Sequence, residues 1–252
     1  MVTRTGRESE CRSSIRSFAM QTFTDRELIV VHDGDDAFER HLASIVSQYP
    51  DCEIGIKRQS SGKTLGELRN ISVAAAQYPL ICQWDDDDLN HPLRLDLQFR
   101  QLQKSAADFC FMTDQLHFFA KQKILFWDDW NAEYFPGNLI QGTILGNKEL
   151  LGLYPEKSKG EDTELVFDLV NRHCKITTLE GVGWAYIYVY NGRNTWSEEH
   201  HKSISQWKRL TYEKLAPRLA DLEHRLREYR LPFTDMTVLH EKGKHIIDLT
   251  GS

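Results

Sequence analysis

The sequence predicts an α/β protein with a mostly parallel central sheet flanked by helices. Short apolar runs, such as residues 28–32 and 79–84, are each followed by an acidic loop. Segments with apolar residues at helical spacing separate these runs. The 252 residues are 40% hydrophobic and 27% charged, which is a globular composition. Strands that alternate with helices of this length form parallel sheets covered on both faces.

The first half of the chain predicts a regular alternation of elements. The run 28–32 is a strand, with a helix before it in 10–21 and another after it in 37–49. The strand CEIGIK comes next, and a helix from about Thr64 to Gln77 follows it. Then come the strand PLICQW and a helix that opens at Pro92, because proline is favoured at the first helical position.

The second half predicts a mixed, loop-rich region. ADFCFMTDQLHFFAKQKILFW predicts two adjacent strands around a turn at Lys121 and Gln122, and NLIQGTILG predicts a further strand. A helix begins near Glu161, and the strand KITTL follows it. Residues 204–231 predict a charged helical segment that Pro217 kinks or splits.

The C-terminal extension is expected to pack on the rest of the chain or on a partner. Trp207, Leu210 and Leu215 supply the apolar side chains for this contact. The helical segment is therefore a candidate surface for a dimer or for another partner. The tail MTVLHEKGKHIIDL predicts either two short strands or a partner-binding arm, and the residues leave both open.

Composition narrows the class of function. The net charge of −6 argues against broad affinity for nucleic acid. No apolar stretch approaches the roughly 20 residues of a transmembrane segment, and no basic leader with an apolar core opens the sequence. The five cysteines are scattered and form no CxxC pair, which predicts free thiols in a reducing compartment. We therefore expect a cytoplasmic protein.

Acidic side chains follow two of the predicted strands. Asp33 follows the run 28–32, and Asp85–Asp88 follow PLICQW. Ligands of open parallel sheets bind beyond the carboxyl ends of the strands, and Mg²⁺ and Mn²⁺ take carboxylate oxygens. Capping of the helix at Pro92 explains one or two of these acids through the helix dipole, but not four after a buried strand. The run predicts a divalent cation site in which Asp85 and Asp87 act together.

Glu161 and Asp162 follow Gly160 and open a predicted helix. Acids in a first helical turn are common for stability alone. A carboxylate near a reacting centre also serves as a general base toward a hydroxyl group. Both interpretations stay open on the residues alone.

Arg69 and the pair His200 and His201 are further candidates. Neighbouring histidines on regular structure point in different directions, so only one reaches a shared site. Imidazole suits Mn²⁺ or Zn²⁺ better than Mg²⁺, but an exposed pair is more often incidental. Arg69 lies on the predicted helix between two strands whose ends carry acidic residues. A guanidinium at this position could hold a diphosphate or a base carbonyl. A plain surface arginine is the alternative.

Taken in order, these stretches resemble family 2 glycosyltransferases with the GT-A fold. Each segment is weak alone, but the ordered set from about Val2 to His201 is specific. The resemblance implies a GT-A domain at 1–203, with a nucleotide-sugar-binding half at 1–107 and an acceptor half at 108–203, before an extension at 204–252. The matching segments are VTRTGRESECRSSIRSFAMQTFTDRELIVVHDGDD, GKTLGELRNISVAAA, ICQWDDDDLNHPLRL, GEDTEL and NGRNTW with the histidine pair.

The resemblance implies metal-dependent, inverting transfer from a nucleotide-diphosphate sugar, a UDP-sugar, to a hydroxyl of a saccharide, lipid-linked or protein acceptor. On this basis Thr3, Asp33 and Arg69 line the base pocket. Asp85 and Asp87 match the DxD pair that contacts the ribose and the diphosphate-bound Mn²⁺ or Mg²⁺. Asp86, between them, is on the donor side. The resemblance also implies that Asp162 is the catalytic base and that His200 or His201 is a metal ligand. Asn194 and Trp196 belong to the loop over the donor.

The sequence departs from the family pattern at its start. Family members have an apolar strand that leads into a Thr-aromatic pair, but only Met1 and Val2 precede Thr3, and Arg4 replaces the aromatic residue. We expect a first strand that is truncated or supplied by residues outside this chain. We also expect Arg4 to stack its guanidinium on the base.

Two other classes of function share part of this pattern. A two-metal nucleotidyltransferase has a similar sheet, nucleotide and acids, but releases pyrophosphate instead of a nucleoside diphosphate. A nucleotide-sugar-binding module without catalytic activity is the second alternative. A phosphatase with an aspartyl nucleophile needs a Thr/Ser and Lys pattern that the residues after the acid run do not supply.

Overall fold

The computed structural model describes residues 1–250, so the last two residues of the predicted extension lie outside it. The first half forms the predicted alternation of strands and helices. Its elements are β1 Val2–Thr3, α1 Glu8–Ala19, β2 Glu27–His32, α2 Asp36–Val46, β3 Glu53–Arg58, α3 Leu65–Ala75, β4 Leu80–Cys82, β5 Leu89–Asn90 and α4 Arg94–Ser105.

The second half has shorter elements and longer loops. Its strands are β6 Phe109–Met112, β7 Asp114–Phe119, β8 Ile124–Asp129, β9 Leu145–Asn147, β10 Ile176–Leu179, β11 Tyr186–Tyr190, β12 Asp235–His240 and β13 Gly243–Asp248. Its helices are α5 Lys148–Leu151, α6 Glu161–Asn171, α7 Glu198–Lys208, α8 Tyr212–Leu215 and α9 Leu219–Glu228.

The first three strands form a parallel sheet in the order β1-β2-β3. Val2 pairs with Val31 and Thr3 pairs with His32. The carboxyl ends of β1 and β2 therefore lie side by side, and Thr3 and Asp33 reach the same edge of the sheet, where ligands of α/β sheets bind.

Two mixed sheets complete the architecture, in the orders β10-β6-β9-β4 and β13-β12-β8-β7-β11-β5. Pairing is parallel between β10 and β6 and between β11 and β7. It is antiparallel between β5 and β11. Because β5 directly follows the acid run, this last pairing brings the run beside β11 and the loop after it.

Side-chain caps fix where two helices of the first half begin. The Thr64 hydroxyl accepts a hydrogen bond of 3.2 Å from the Glu67 amide, and the Glu67 carboxylate accepts one of 2.7 Å from the Thr64 amide. Asp35 accepts a hydrogen bond of 2.9 Å from the Phe38 amide. These contacts satisfy N–H groups that have no partner within the helix. The Asp35 contact caps α2, and the Thr64 and Glu67 contacts cap α3, which carries Arg69.

Two strand predictions in the middle of the chain differ from the structure. Residues 107–127 hold three strands instead of two, because β6 pairs with β10 while β7 and β8 form the hairpin. Segment 138–146 is not one strand: a 3₁₀ turn at Gln141–Thr143 precedes β9. A hydrogen bond from the Met112 amide to the Thr143 hydroxyl, of 2.9 Å, stabilises this turn against β6.

The C-terminal extension packs on the rest of the chain, but not through all the predicted residues. Leu210 and Leu215 are buried, whereas Trp207 is 79% exposed. Trp207 does not pack on the rest of the chain, because α7 turns the side chains of His201 and Ser205 inward and leaves Trp207 on its outer face. Its contact with a partner stays a prediction.

The tail forms two strands, which was one of its two predicted alternatives. The β12–β13 hairpin adds to the third sheet through β12, which runs parallel to β8. Met236, Val238 and Ile247 are fully buried in one apolar cluster with Leu116 and Ile187. The hairpin is therefore part of the core. Within residues 1–250, no helix is both long and apolar enough to cross a membrane.

Candidate active site

A cavity of about 270 Å³ opens at the carboxyl ends of the first strands. It is bounded by the loops after β1, β2, β4 and β11, by α3 and by the start of α6. Asp87 of the predicted metal ligands and Asp162, the predicted base, both line it. So do all the predicted donor-binding residues, which are Thr3, Arg4, Asp33, Arg69, Asp85 and Asp86.

The cavity wall formed by the first two loops contains three predicted base-binding residues. Thr3 is buried, and its hydroxyl lies 2.8 Å from Cys11 Sγ. Asp33 is half-buried directly after β2, and Arg4 is exposed at the cavity. Stacking of Arg4 on a base stays a prediction.

The ends of the acid run have different partners. Asp85 Oδ1 accepts a hydrogen bond of 2.9 Å from Arg69 Nη2. Asp88 is buried and accepts hydrogen bonds from the Val189 amide, at 2.9 Å, and from the Tyr186 hydroxyl. Asp88 therefore fastens the acid run to β11, while Asp85 faces the cavity.

Asp86 and Asp87 share one arginine that the sequence did not single out. Arg7 Nη1 lies 2.6 Å from Asp86 Oδ1 and 3.1 Å from Asp87 Oδ2. Asn194 Nδ2 donates a further hydrogen bond of 3.2 Å to Asp87 Oδ2. Asp86 Oδ2 is buried and has no hydrogen-bond partner within residues 1–250. These two carboxylates are thus only partly compensated.

Burial and mutual repulsion perturb the pKa values of the acid run. Burial, and then the neighbouring Asp86, raises the pKa of Asp87 to about 7. Burial also raises the pKa of Asp86, although Arg7 opposes this. For Asp85, burial acts in the same direction, but the charge of Arg69 and the hydrogen bonds from Gln83 and Arg69 together outweigh it, and the pKa is lowered. Burial and the neighbouring acids therefore favour the protonated form of Asp87, and an added cation would lower the pKa of this carboxyl group.

Arg69 joins the acid run to the start of α6. It is buried, and its Nε lies 2.9 Å from Glu161 Oε1 while its Nη2 contacts Asp85. Its guanidinium also lies 5.5 Å from the ring centroid of Tyr154. Burial alone would lower the pKa of Arg69, but Asp85 and the other acids raise it. The surface-arginine alternative is therefore wrong, and Arg69 is a permanently charged buried cation.

The start of α6 presents two acids in different states of pairing. Gly160 adopts φ 74°, a left-handed conformation that glycine tolerates best. Glu161 is buried and paired with Arg69. Asp162 is half-buried; its Oδ1 accepts a hydrogen bond of 2.7 Å from the Thr163 amide. No cation pairs with Asp162 in residues 1–250, so its carboxylate is available to a ligand in the cavity.

The loop after β11 spans the cavity from the acid run to the α6 side. Asn194 contacts Asp87 at one end of this loop. At its other end the Trp196 ring lies between Lys159, whose Nζ is 3.6 Å from the ring centroid, and the stacked His200 ring at 4.4 Å. A covering role for Asn194 and Trp196 stays a prediction.

The predicted grouping of Asp87 with His200 or His201 is not formed. His201 is buried, with its Nδ1 2.9 Å from His117 Nε2 and its ring 4.8 Å from Tyr188, and His200 lies behind Trp196. Neither histidine lines the cavity. In the described part of the chain, no group of three or more His, Cys, Asp or Glu side chains is arranged to hold a metal ion.

The residues that sequence reasoning missed contact the site from distant segments. Arg7 immediately precedes α1 and contacts Asp86, which is 79 residues later in the chain. Tyr188 lies on β11 in an apolar run and lines the cavity. Ordinary surface helices are also preceded by polar residues, so the sequence around Arg7 does not distinguish it from a residue outside the site.

Comparison with known proteins gives two sequence matches. The model of the family "Glycosyl transferase family 2" matches residues 3–138, just over half of the chain. O-antigen biosynthesis glycosyltransferase WbnJ of Escherichia coli is 34% identical over 89 residues. That match covers 34% of this chain and 34% of the relative, so the chain aligns with about a third of the relative's length.

Comparison with solved structures supports the fold. TarS of S. aureus in complex with UDP-GlcNAc has a TM-score of 0.55 at 14% identity, over 89% of this chain and 65% of that chain. Mannosyltransferase PcManGT from Pyrobaculum calidifontis, in complex with GDP-Man and Mn²⁺, has a TM-score of 0.58 at 13% identity, over 90% and 70%. At these identities the likeness concerns the fold alone, and it confirms the predicted GT-A type of α/β fold.

Proposed function

Because the chain belongs to glycosyl transferase family 2, we propose that it transfers a sugar from a nucleotide-diphosphate sugar to a hydroxyl group, with inversion at the anomeric carbon. One observation carries this: a single cavity joins the acid run, Arg69 and the unpaired Asp162. Inversion needs one base and one stabilised leaving group on opposite sides of the reacting carbon, and the cavity offers an acid run and a separate carboxylate for these tasks.

The donor in this proposal is a UDP-sugar. Thr3, Asp33 and Arg69 form the side of the cavity at the ends of β1 and β2, where α/β sheets bind nucleotides. The structural relative TarS is described with UDP-GlcNAc, and PcManGT with GDP-Man. Both are nucleotide-diphosphate sugars. In this proposal the base is uracil, Thr3 and Asp33 line its side of the cavity, and Arg4 stacks on it.

The acid run fits a divalent cation. Asp86 Oδ2 is buried without a partner in the described residues, and burial, followed by the charge of Asp86, raises the pKa of Asp87. Carboxylate oxygens suit Mg²⁺ and Mn²⁺, which complete their coordination with waters and substrate phosphates. Asp85 and Asp87 would hold the ion with Asp86 beside them; His200 and His201 take no part. When bound, the cation neutralises charge that develops on the leaving diphosphate.

Asp162 is the base in this mechanism. Glu161 is committed to Arg69, whereas Asp162 has no cationic partner and lies at the helix N-terminus, which favours its ionised form. Its carboxylate takes the proton of the acceptor hydroxyl while that oxygen bonds to the anomeric carbon. The bond from this carbon to the diphosphate oxygen breaks in the same step, and the nucleoside diphosphate leaves.

The acceptor and the location are proposed on more general grounds. The Escherichia coli relative is described as a glycosyltransferase of O-antigen biosynthesis, which supports a saccharide acceptor. All five cysteines are free thiols, which supports the cytoplasm as a reducing location.

A donor screen tests the reaction class. The protein is incubated with Mn²⁺, a series of UDP- and GDP-sugars and oligosaccharide acceptors, and the phosphate-containing product is identified. Release of nucleoside diphosphate with a glycosylated acceptor is the expected result. Release of pyrophosphate would instead identify a nucleotidyltransferase, and tight UDP binding without any turnover would identify a binding module.

Asp162→Asn tests the role of the base. Donor affinity should persist while turnover falls by roughly 10²–10⁴-fold, the usual effect of losing an acid–base group. Glu164→Gln is the matched control, because Glu164 is an exposed acid in the same helical turn. Turnover within a few-fold of the parent protein would leave Asp162 as a helix-start acid and make Glu161 the candidate.

A further inference from the structure

Arg7 occupies the part of the acid run where a divalent cation is expected. It is the residue before α1, and its side chain is only 13% exposed. Its Nη1 contacts Asp86 Oδ1 and Asp87 Oδ2, and its Nη2 donates a hydrogen bond of 3.1 Å to the Arg193 carbonyl. The guanidinium is therefore held by both acids and by the loop after β11.

The two cations cannot use these oxygens together. A divalent cation requires direct contact with carboxylate oxygens, at about 2.0–2.1 Å for Mg²⁺, and Arg7 Nη1 already lies in hydrogen-bond contact with one oxygen of each acid. Two positive groups at this separation also repel each other strongly in a partly buried site. Arginine has a long, flexible side chain, so Arg7 can leave the pair without movement of α1.

We propose that Arg7 is an internal cation that competes with the divalent cation for Asp87, so that Arg7 sets how tightly the site takes a metal ion before the donor arrives. This rests on the metal-dependent donor site proposed above. In the donor-free protein Arg7 neutralises part of the acid run and holds it in place. Metal binding at Asp85 and Asp87 then displaces Arg7 from Asp87, and the displaced guanidinium remains at the cavity, where it can pair with a diphosphate.

Calorimetric titration with MnCl₂ alone, without nucleotide or acceptor, tests this competition. Arg7→Gln should bind Mn²⁺ at least about tenfold more tightly than the parent protein, because it removes a like charge beside a divalent ion. Arg12→Gln is the matched control: Arg12 is an exposed arginine on the same helix, with no ion pair in the described residues. It should leave Mn²⁺ affinity unchanged.

Equal or weaker Mn²⁺ binding by Arg7→Gln overturns the competition, as does the absence of Mn²⁺ binding in every variant. If Arg7→Gln is unfolded by circular dichroism, Arg7→Met decides by the same criterion, since methionine keeps an unbranched side chain and removes the charge: tighter binding supports competition, and equal or weaker binding overturns it. No donor is present in the titration, so its result is separate from whether sugar transfer is detected.

Discussion

The guanidinium of Arg69 donates a hydrogen bond to Glu161, 92 residues later in the chain, with an Nε–Oε1 distance of 2.9 Å. The same side chain reaches Asp85, so one buried cation joins α3, the acid run and the start of α6. Buried charges are stable only when they are paired. The relative position of the acid run and Asp162 therefore depends on Arg69.

Arg69→Met should destabilise the fold, because it leaves two acids near the cavity without their cation. The expected loss in the free energy of unfolding is about 3–5 kcal/mol, the usual cost of breaking a buried ion pair. Urea denaturation measures it. Arg100→Met is the control, since the Arg100 side chain is 76% exposed in its pair with Asp96, and it should cost no more than about 1 kcal/mol. Similar losses in the two variants would show that the Arg69 network does not support the fold.

The sequence predicted the parts of this site that depend on the ends of strands and helices. Asp33 and Asp85 follow apolar runs that form β2 and β4, and Asp162 follows a glycine that starts α6. Although β2 and β4 belong to different sheets, the loops after them and the start of α6 open into one cavity, so these acids meet there. The local sequence is therefore enough to predict a site residue when the fold itself brings the ends of the strands and helices concerned together.

Other parts of the site depend on contacts that no local pattern encodes. The partners of Arg7 are 79 and 80 residues away in the chain. His201 was assigned by its order in the sequence, but its direction depends on which face of α7 packs on the sheet. Contact with His117 of β7 fixes that face inward. The exposed position of Trp207 has the same cause, because it lies on the opposite face.

Asp87→Asn should remove the dependence of UDP binding on Mn²⁺. Calorimetric titration with UDP, in the presence and absence of Mn²⁺, measures this dependence. Asp51→Asn is the control, because Asp51 is an exposed acid outside the cavity. Mn²⁺-dependent affinity that is unchanged in Asp87→Asn would exclude this residue as a metal ligand.

The free energy of unfolding of Asp87→Asn, relative to that of the parent protein, should increase as pH rises. The pKa of Asp87 is raised in the folded protein from 3.8 to about 7, so the folded state binds the extra proton between these values. The free energy of unfolding of the parent protein therefore falls, through this group, as pH rises from about 4 to about 7. Asp87→Asn lacks this effect. Urea unfolding at pH 5 and pH 8 without metal measures it, and a constant difference between the two proteins would contradict it.

His201 should make the protein sensitive to acid. Burial, and then His117, lowers the pKa of His201 from 6.5 to about 3. Below pH 6.5 His201 binds a proton in the unfolded chain but stays neutral in the folded protein. The free energy of unfolding therefore falls as pH drops from about 6.5 toward 3. His201→Phe keeps a ring at this position and should flatten the pH dependence of urea unfolding between pH 7 and pH 5. The exposed His224 gives the control variant His224→Gln, and an equally steep pH dependence in His201→Phe would refute the assignment.

Two neighbouring isoleucines of β13 test whether the C-terminal hairpin belongs to the core. Ile247 is fully buried in the cluster with Met236 and Val238, whereas Ile246 is 60% exposed on the other face of the same strand. Ile247→Ala should lower the free energy of unfolding by about 2–5 kcal/mol, through lost burial and the cavity left behind. Ile246→Ala should change it by no more than about 0.5 kcal/mol. Both variants lose the same atoms from one strand, so strand propensity cancels in their comparison. If urea denaturation gives small and equal effects, the hairpin does not contribute to the stability of the domain, and the extension after residue 203 behaves as a separate unit.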